Sequence, residues 1–149
     1  MQDVIVLSPG EGKTVMIGPV RTLFMIRSED TDDQFSLVEH ALPPQFFRPP
    51  HVHRQCDHAF YVVEGQVRID VGERTVQASV GTCVFVPKGV VHSFSNPGAV
   101  WSRMLQIDAP GGFEKFYEDL AAAFPEGTPI VDSVLEAIQQ KFDTYRPAP

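Results

Sequence analysis

Three of the chain's five histidines fall within eight positions, in the stretch PPHVHRQCDHAFYVVEG at 49–65. In an extended strand, residues i and i+2 project to the same side, so His51 and His53 present both imidazoles to one face while Val52 points away. Two imidazoles so placed could share one ion at about 2.0–2.2 Å from each nitrogen. His58 follows the expected turn RQCD and heads the run HAFYVVE, whose alternation groups His58 with Phe60 and Val62; a hairpin would return it toward the first pair. Taken alone the pattern is only suggestive, because histidines also occupy polar strand faces without binding anything. Cys56 lies beside the cluster and could be a soft ligand, but a small, partly buried thiol is the simpler reading. Two cysteines, Cys56 and Cys83, are too few for a disulfide framework.

A second stretch, GTCVFVPKGVVHSFSN at 81–96, contains Gly81, five residues, Pro87, one residue, Gly89, two residues, His92, three residues and Asn96. With the first stretch it resembles the two signature motifs of the cupin superfamily. The family's first motif runs HxH, three or four residues, Glu, six residues, Gly; here it is His51, His53, four residues, His58, six residues, Gly65. The second motif matches at every specified position, and the resemblance covers about residues 20–108. The single-domain quercetin-dioxygenase-like members look most similar, sharing the PPHxH entry, the FYVxEG strand and a GGFExF segment, here Gly111 to Phe116. The resemblance implies an antiparallel jelly-roll barrel around one divalent transition metal ion, held by His51, His53, His92 and the residue at position 58. The fifth histidine, His40, does not match a ligand position and is expected on a cleft wall or the surface.

Position 58 departs from the family, which normally has Glu there. The register set by Gly65 selects His58; a bulged RQCD turn would offer Asp57 instead. Four neutral imidazoles leave a divalent ion its full +2 charge, which raises Lewis acidity and attraction for an enolate or phenolate. The carboxylate that could take a substrate proton in quercetin-dioxygenase-like cupins is missing. Histidine-rich cupins also include cyclases of aromatic polyketide pathways, which act without net oxidation. The expected function is therefore that of a metalloenzyme on a small aromatic or polyketide-like enolisable substrate: a dioxygenase, alternatively a non-oxidative cyclase or isomerase, or else a cupin that binds a small molecule without turnover. The ligand set does not choose among iron, manganese, nickel, cobalt, copper and zinc, so whether dioxygen is a co-substrate stays open. Phe46, Phe47 and Arg48 form an aromatic and cationic rim, or else Phe46 and Phe47 belong to the barrel core. Phe60, Val62, Phe85, Phe94 and Met104 are candidate pocket lining. Since imidazoles bind metal only when neutral, metal should be lost as pH falls below roughly 6.

The elements that must position these residues are short. From Val4 to about Asp108, runs rich in Val, Ile, Phe and Thr are separated by Gly, Pro and acidic punctuation every eight to twelve residues, the spacing of an all-β sandwich or barrel. Strands are expected at 4–7, 13–18, 22–27, 35–40, 48–53, 58–63, 66–71, 75–79, 83–87, 91–96 and 101–107, with a type I turn that places Pro87 second and Gly89 fourth. After Pro110 the period becomes helical. Phe113, Phe116, Tyr117, Leu120 and Phe124 form one stripe, ended by Pro125. A second helix is expected with Thr128 as N-cap and Pro129 first, carrying Val131, Leu135, Ile138, Phe142 and Tyr145 on one face. Residues 1–110 are thus read as the barrel and 111–149 as a helical extension packed on it, in one domain.

Twelve basic and nineteen acidic residues give a net charge of −7, and no Lys/Arg cluster stands out, so a nucleic-acid partner is not expected. No apolar run approaches a membrane span, and the start MQDVIVLSPGEGK lacks a basic region followed by a long apolar one. The expectation is a soluble cytoplasmic protein with no membrane partner, forming a homodimer that covers its exposed sheet edges.

Overall fold

The alternation seen in the sequence is realised as ten antiparallel strands in the computed structural model, which describes residues 3–149. They are β1 (Lys13–Ile17), β2 (Val20–Ile26), β3 (Ser36–Leu42), β4 (Phe46–His51), β5 (Asp57–Glu64), β6 (Gln66–Val71), β7 (Arg74–Ser79), β8 (Cys83–Val86), β9 (His92–Asn96) and β10 (Ser102–Ala109). Two helices follow, α1 (Glu114–Ala123) and α2 (Asp132–Lys141). One sheet has the order β1-β2-β3-β10-β5-β8 and the other β4-β9-β6-β7. This is an all-β jelly-roll barrel with two short C-terminal helices. The chain crosses between sheets at Gly65, whose φ of 70° suits glycine and where a Cβ would meet the Trp101 carbonyl at 2.8 Å.

Between the sheets, Leu42, Phe60, Val62, Val67, Ile69, Val86, Phe94 and Met104 form one buried apolar cluster. A second joins Phe24 and Val38 of the larger sheet to Phe113, Phe116, Tyr117, Leu120 and Phe124. The stripe expected on α1 is therefore buried as read. Leu135, Ile138 and Phe142 pack partly buried against the same cluster, whereas Val131 is half exposed and Tyr145 leaves the stripe to bridge Val52.

Four expectations are corrected. Residues 4–7 form no strand, because no neighbouring segment offers them a ladder of hydrogen bonds; Val4 and Val6 face outward, and Ile5 and Leu7 line a hollow with Met25, Phe35 and Leu37. The strand expected at 48–53 starts earlier and stops at His51. Pro49 and Pro50 have no N–H to donate, and the β4–β9 register shifts between Arg48 and His51. The turn after β8 lies one residue later, with the Val90 N–H donating to the Pro87 carbonyl at 3.2 Å and Gly89 at its third position with φ 84°, where a type II turn needs glycine. Finally, α2 begins at Asp132 rather than Pro129. The Thr128 N–H closes a turn onto Pro125 O at 2.9 Å, and Val131 enters the helix extended, at φ −101° and ψ 112°.

Phe116, 1% exposed, couples α1 to the sheet. Phe116→Ala should lower unfolding free energy by about 3–5 kcal/mol in urea denaturation. A loss below about 1 kcal/mol would contradict the packing of α1 described above.

Candidate metal centre

The two strand ends that carry the motifs meet face to face: His51, last in β4, is the register partner of His92, first in β9. Their ring centroids are 4.3 Å apart, and His53 lies 5.1 Å from His51 and 5.2 Å from His92. His58 completes the cluster from β5, 4.3 Å from His53 and 5.5 Å from His92. All four rings are buried. Donor atoms of His51, His53 and His92 lie within 4.8 Å of one another, and His58 stands beside them in a second group with Cys56 and Asp108.

Hydrogen bonds decide which nitrogen each ring presents. Nδ1 of His51 lies 2.8 Å from Pro49 O, Nδ1 of His53 3.0 Å from Asp143 O, and Nδ1 of His92 3.0 Å from Val90 O. A carbonyl oxygen only accepts, so each Nδ1 carries the proton and each Nε2 keeps a free lone pair. His58 Nδ1 donates in the same way to the Asp108 carboxylate. Nε2 of His58 and Nε2 of His92 are buried with no partner among the described residues. A buried nitrogen left unpaired is costly, and the Nε2 lone pairs of the four rings match the donors of a tetrahedral or octahedral divalent transition ion.

His40 is different. It is buried rather than on the surface, its Nδ1 accepts from the Thr22 hydroxyl at 2.9 Å, and its Nε2 donates to Gln106 Oε1 at 3.1 Å. Both nitrogens are occupied, so it is no ligand candidate. Gln106 also accepts from Tyr117 OH at 3.3 Å and donates to Asp108 Oδ1 at 2.7 Å. A polar layer thus runs Thr22–His40–Gln106–Asp108–His58 between the two apolar clusters. Asp57 faces the other way, accepting from the Lys88 N–H at 2.7 Å. Burial pushes the Cys56 thiol up to about 12 in the metal-free fold, and its S–H points at the carbonyls of Asp57 and Pro110.

Several supporting residues escaped the sequence reading. Asp108 and Gln106 sit on the inward phase of β10, with Ser102 and Met104; polar residues at that phase of an apolar strand were the available signal. Asp143 and Thr144 carried no such signal. After α2 the chain turns at Asp143, φ 54°, and its carboxylate accepts from the backbone N–H groups of Arg54 and Gln55 while its carbonyl holds His53. Tyr145 then pairs with Val52 through N–H···O bonds of 2.9 and 3.0 Å.

Of the expected pocket residues, Phe60, Val62, Phe94 and Met104 are buried inside the barrel, and Phe46 packs partly buried against them. Phe47 and Phe85 are 59% and 60% exposed and do not line it. Phe47 lies between the inward phases of Phe46 and Arg48, and Phe85 pairs with Ala59, out of phase with His58 and Phe60.

Residues 38–108 match the family described as Cupin domain. The protein belongs to the cupin superfamily. This cupin is 29% identical over 115 residues to quercetin 2,3-dioxygenase of Bacillus subtilis (strain 168), an alignment covering 77% of the chain and 34% of that enzyme; the chain thus spans about a third of its relative's length. Among solved structures it is similar to TT1209 from Thermus thermophilus, with 27% identity, a TM-score of 0.57, and 64% and 89% of the two chains covered. It also superimposes on the polyketide cyclase RemF from Streptomyces resistomycificus, with 24% identity, a TM-score of 0.63, and coverage of 72% and 80%; this second likeness shows the fold. Among the described residues no helix is long and apolar enough to cross a membrane.

Burial, reinforced by the positive charge of Arg48, drives His51 far below the ordinary imidazole value. Burial also lowers His53, next to His58, and brings His92 and His40 to about 4. Protons therefore compete for these nitrogens at lower pH than the roughly 6 expected of ordinary imidazoles. Between the unfolded value of 6.5 and about 4, the unfolded chain binds protons that the metal-free fold does not. Stability is complete above pH 6.5 and falls as pH drops through that window. Melting curves of chelator-treated protein should show Tm declining from about pH 7 to about pH 4.5; a flat profile would contradict burial of neutral rings. Asp108→Asn, which removes the charge behind His58, should weaken metal binding about 10–100-fold in chelator competition.

Proposed function

We propose that this cupin is a mononuclear metal-dependent enzyme of the quercetin-dioxygenase-like kind, acting on a small aromatic or polyketide-like enolisable substrate. The reading rests on one observation: four buried imidazoles whose Nδ1–H groups are all engaged, leaving four Nε2 lone pairs on His51, His53, His58 and His92. A divalent ion held there would supply a Lewis-acidic centre that favours ionisation of a substrate hydroxyl or enol, and a redox-active ion would admit dioxygen chemistry that zinc does not.

The chain's own residues account for the rest. Four uncharged ligands leave the centre its full positive charge, which draws an oxygen anion. Asp108 orients His58 and keeps its proton on Nδ1. The rings of Phe60 and Phe94, 5.6 Å apart, give an aromatic substrate an apolar wall and exclude water.

Cyclisation or isomerisation without net oxidation is the second reading, favoured by the position of the carboxylates. Asp108 is turned to the back of His58, and no Asp or Glu among the described residues joins the His51, His53 and His92 group. A base facing the substrate is therefore not supplied by a carboxylate.

Elemental analysis of protein purified without added metal, combined with oxygen-electrode assays on flavonols and polyketide-like phenols, tests both readings. The expected result is one divalent transition ion per chain with oxygen uptake, and loss of the ion in His58→Ala. Zinc with product formation but no uptake would transfer the assignment to the cyclase reading. Full occupancy in His58→Ala would remove the fourth ligand, and a chain that holds no metal would overturn both readings.

A further inference from the structure

Arg48 is a cation with no acidic partner among the described residues. Arg27, Arg68 and Arg103 each pair with an Asp or Glu, whereas Arg48 has no ion pair and no hydrogen-bond acceptor among the described residues; it has the face of the Phe116 ring 5.9 Å from its guanidinium carbon and lies within electrostatic reach of Tyr117. Its strand phase turns it inward. In β4 it shares the side of Phe46, which packs on the barrel core. Its register partner on β9 is Phe94, which is buried and stacks on His40 at 6.1 Å. The guanidinium is close enough for its charge to depress protonation of His51, His53, His92 and His40.

Arg48 is half-buried, so its guanidinium stays charged and partly desolvated, and a single aromatic face offsets that loss only in part. Its planar fork of N–H donors matches a carboxylate. In a chain of net charge −7 no Asp or Glu among the described residues pairs with Arg48, and Asp108, whose charge also reaches His40 and His92, is engaged by His58 and Gln106.

We infer that Arg48 binds the carboxylate of the substrate, so that the substrate class is an aromatic or polyketide-like acid carrying a carboxylate near its enolisable oxygen. This rests on the metal-centred reading above and adds a specificity residue to it: Arg48 holds the acid group while the histidine cluster faces the oxygen to be ionised. A neutral flavonol lacks the group that Arg48 would recognise.

The test is calorimetric titration of the protein as purified, with its metal, using salicylate and its neutral amide, salicylamide. Salicylate should bind, and Arg48→Gln should weaken it about tenfold or more while leaving salicylamide binding and metal content little changed; Arg48→Lys should retain part of the preference. No salicylate binding by the unaltered protein, equal weakening of both probes, or unchanged salicylate affinity in Arg48→Gln would overturn the inference. Should Arg48→Gln fail to fold, a crystal of the unaltered protein with salicylate decides: the carboxylate on the guanidinium supports the inference, and a carboxylate elsewhere overturns it. Metal analysis of the same samples separates the two readings. Arg48-dependent salicylate binding in protein that holds no metal would sustain this inference and sink the metal-centred one, and a metal-loaded protein indifferent to Arg48→Gln would do the reverse.

Discussion

Everything at the centre of this barrel depends on where four protons sit. An imidazole offers one lone pair and one N–H, and burial makes it costly to leave either without a partner. By giving all four Nδ1–H groups an acceptor, three of them backbone carbonyls, the fold leaves four Nε2 lone pairs directed into one histidine cluster. The carbonyls lie two residues back for His51 and His92 and ninety residues on for His53. Local strand geometry thus sets two rings, and the folded C-terminal segment sets a third.

The fourth ring carries the chemical distinction. Where the cupin pattern has a Glu facing inward, this chain has a histidine with a fully buried aspartate behind it. The negative charge has moved from a ligand position to the far side of an imidazole. There it can orient and polarise the ring, but it cannot take a proton directly from a substrate in front of it. The polar layer that continues through Gln106 and His40 to Thr22 lies between two apolar clusters. It holds Asp108 by hydrogen bonds from Gln106 and Ser36 as well as from His58.

Much of this was legible in the sequence because period-2 alternation and turn residues act locally. The spacing of His51, His53, His58 and His92 against Gly65 and Gly89 was enough to expect that the four would converge, and the helical stripe from Phe113 to Phe124 was buried as read. What was not legible depended on contacts between distant segments. Residues 4–7 have strand composition but pair with no strand among the described residues. Pro49 and Pro50 shift the β4 register, which decides that Phe46 and Arg48 face inward and Phe47 outward. Asp143 is an ordinary acidic residue until the chain beyond α2 returns to the His53 loop. Asp108 could have been noticed, since a buried-phase carboxylate on an apolar strand requires a donor.

The most direct measurement is X-ray absorption fine structure on the protein with its native metal. The expected result is a first shell with four imidazole nitrogens at about 2.0–2.2 Å, completed only by light oxygen or nitrogen donors. A shell with three imidazoles and a carboxylate oxygen from Asp57, or with sulfur from Cys56, would contradict a four-histidine centre.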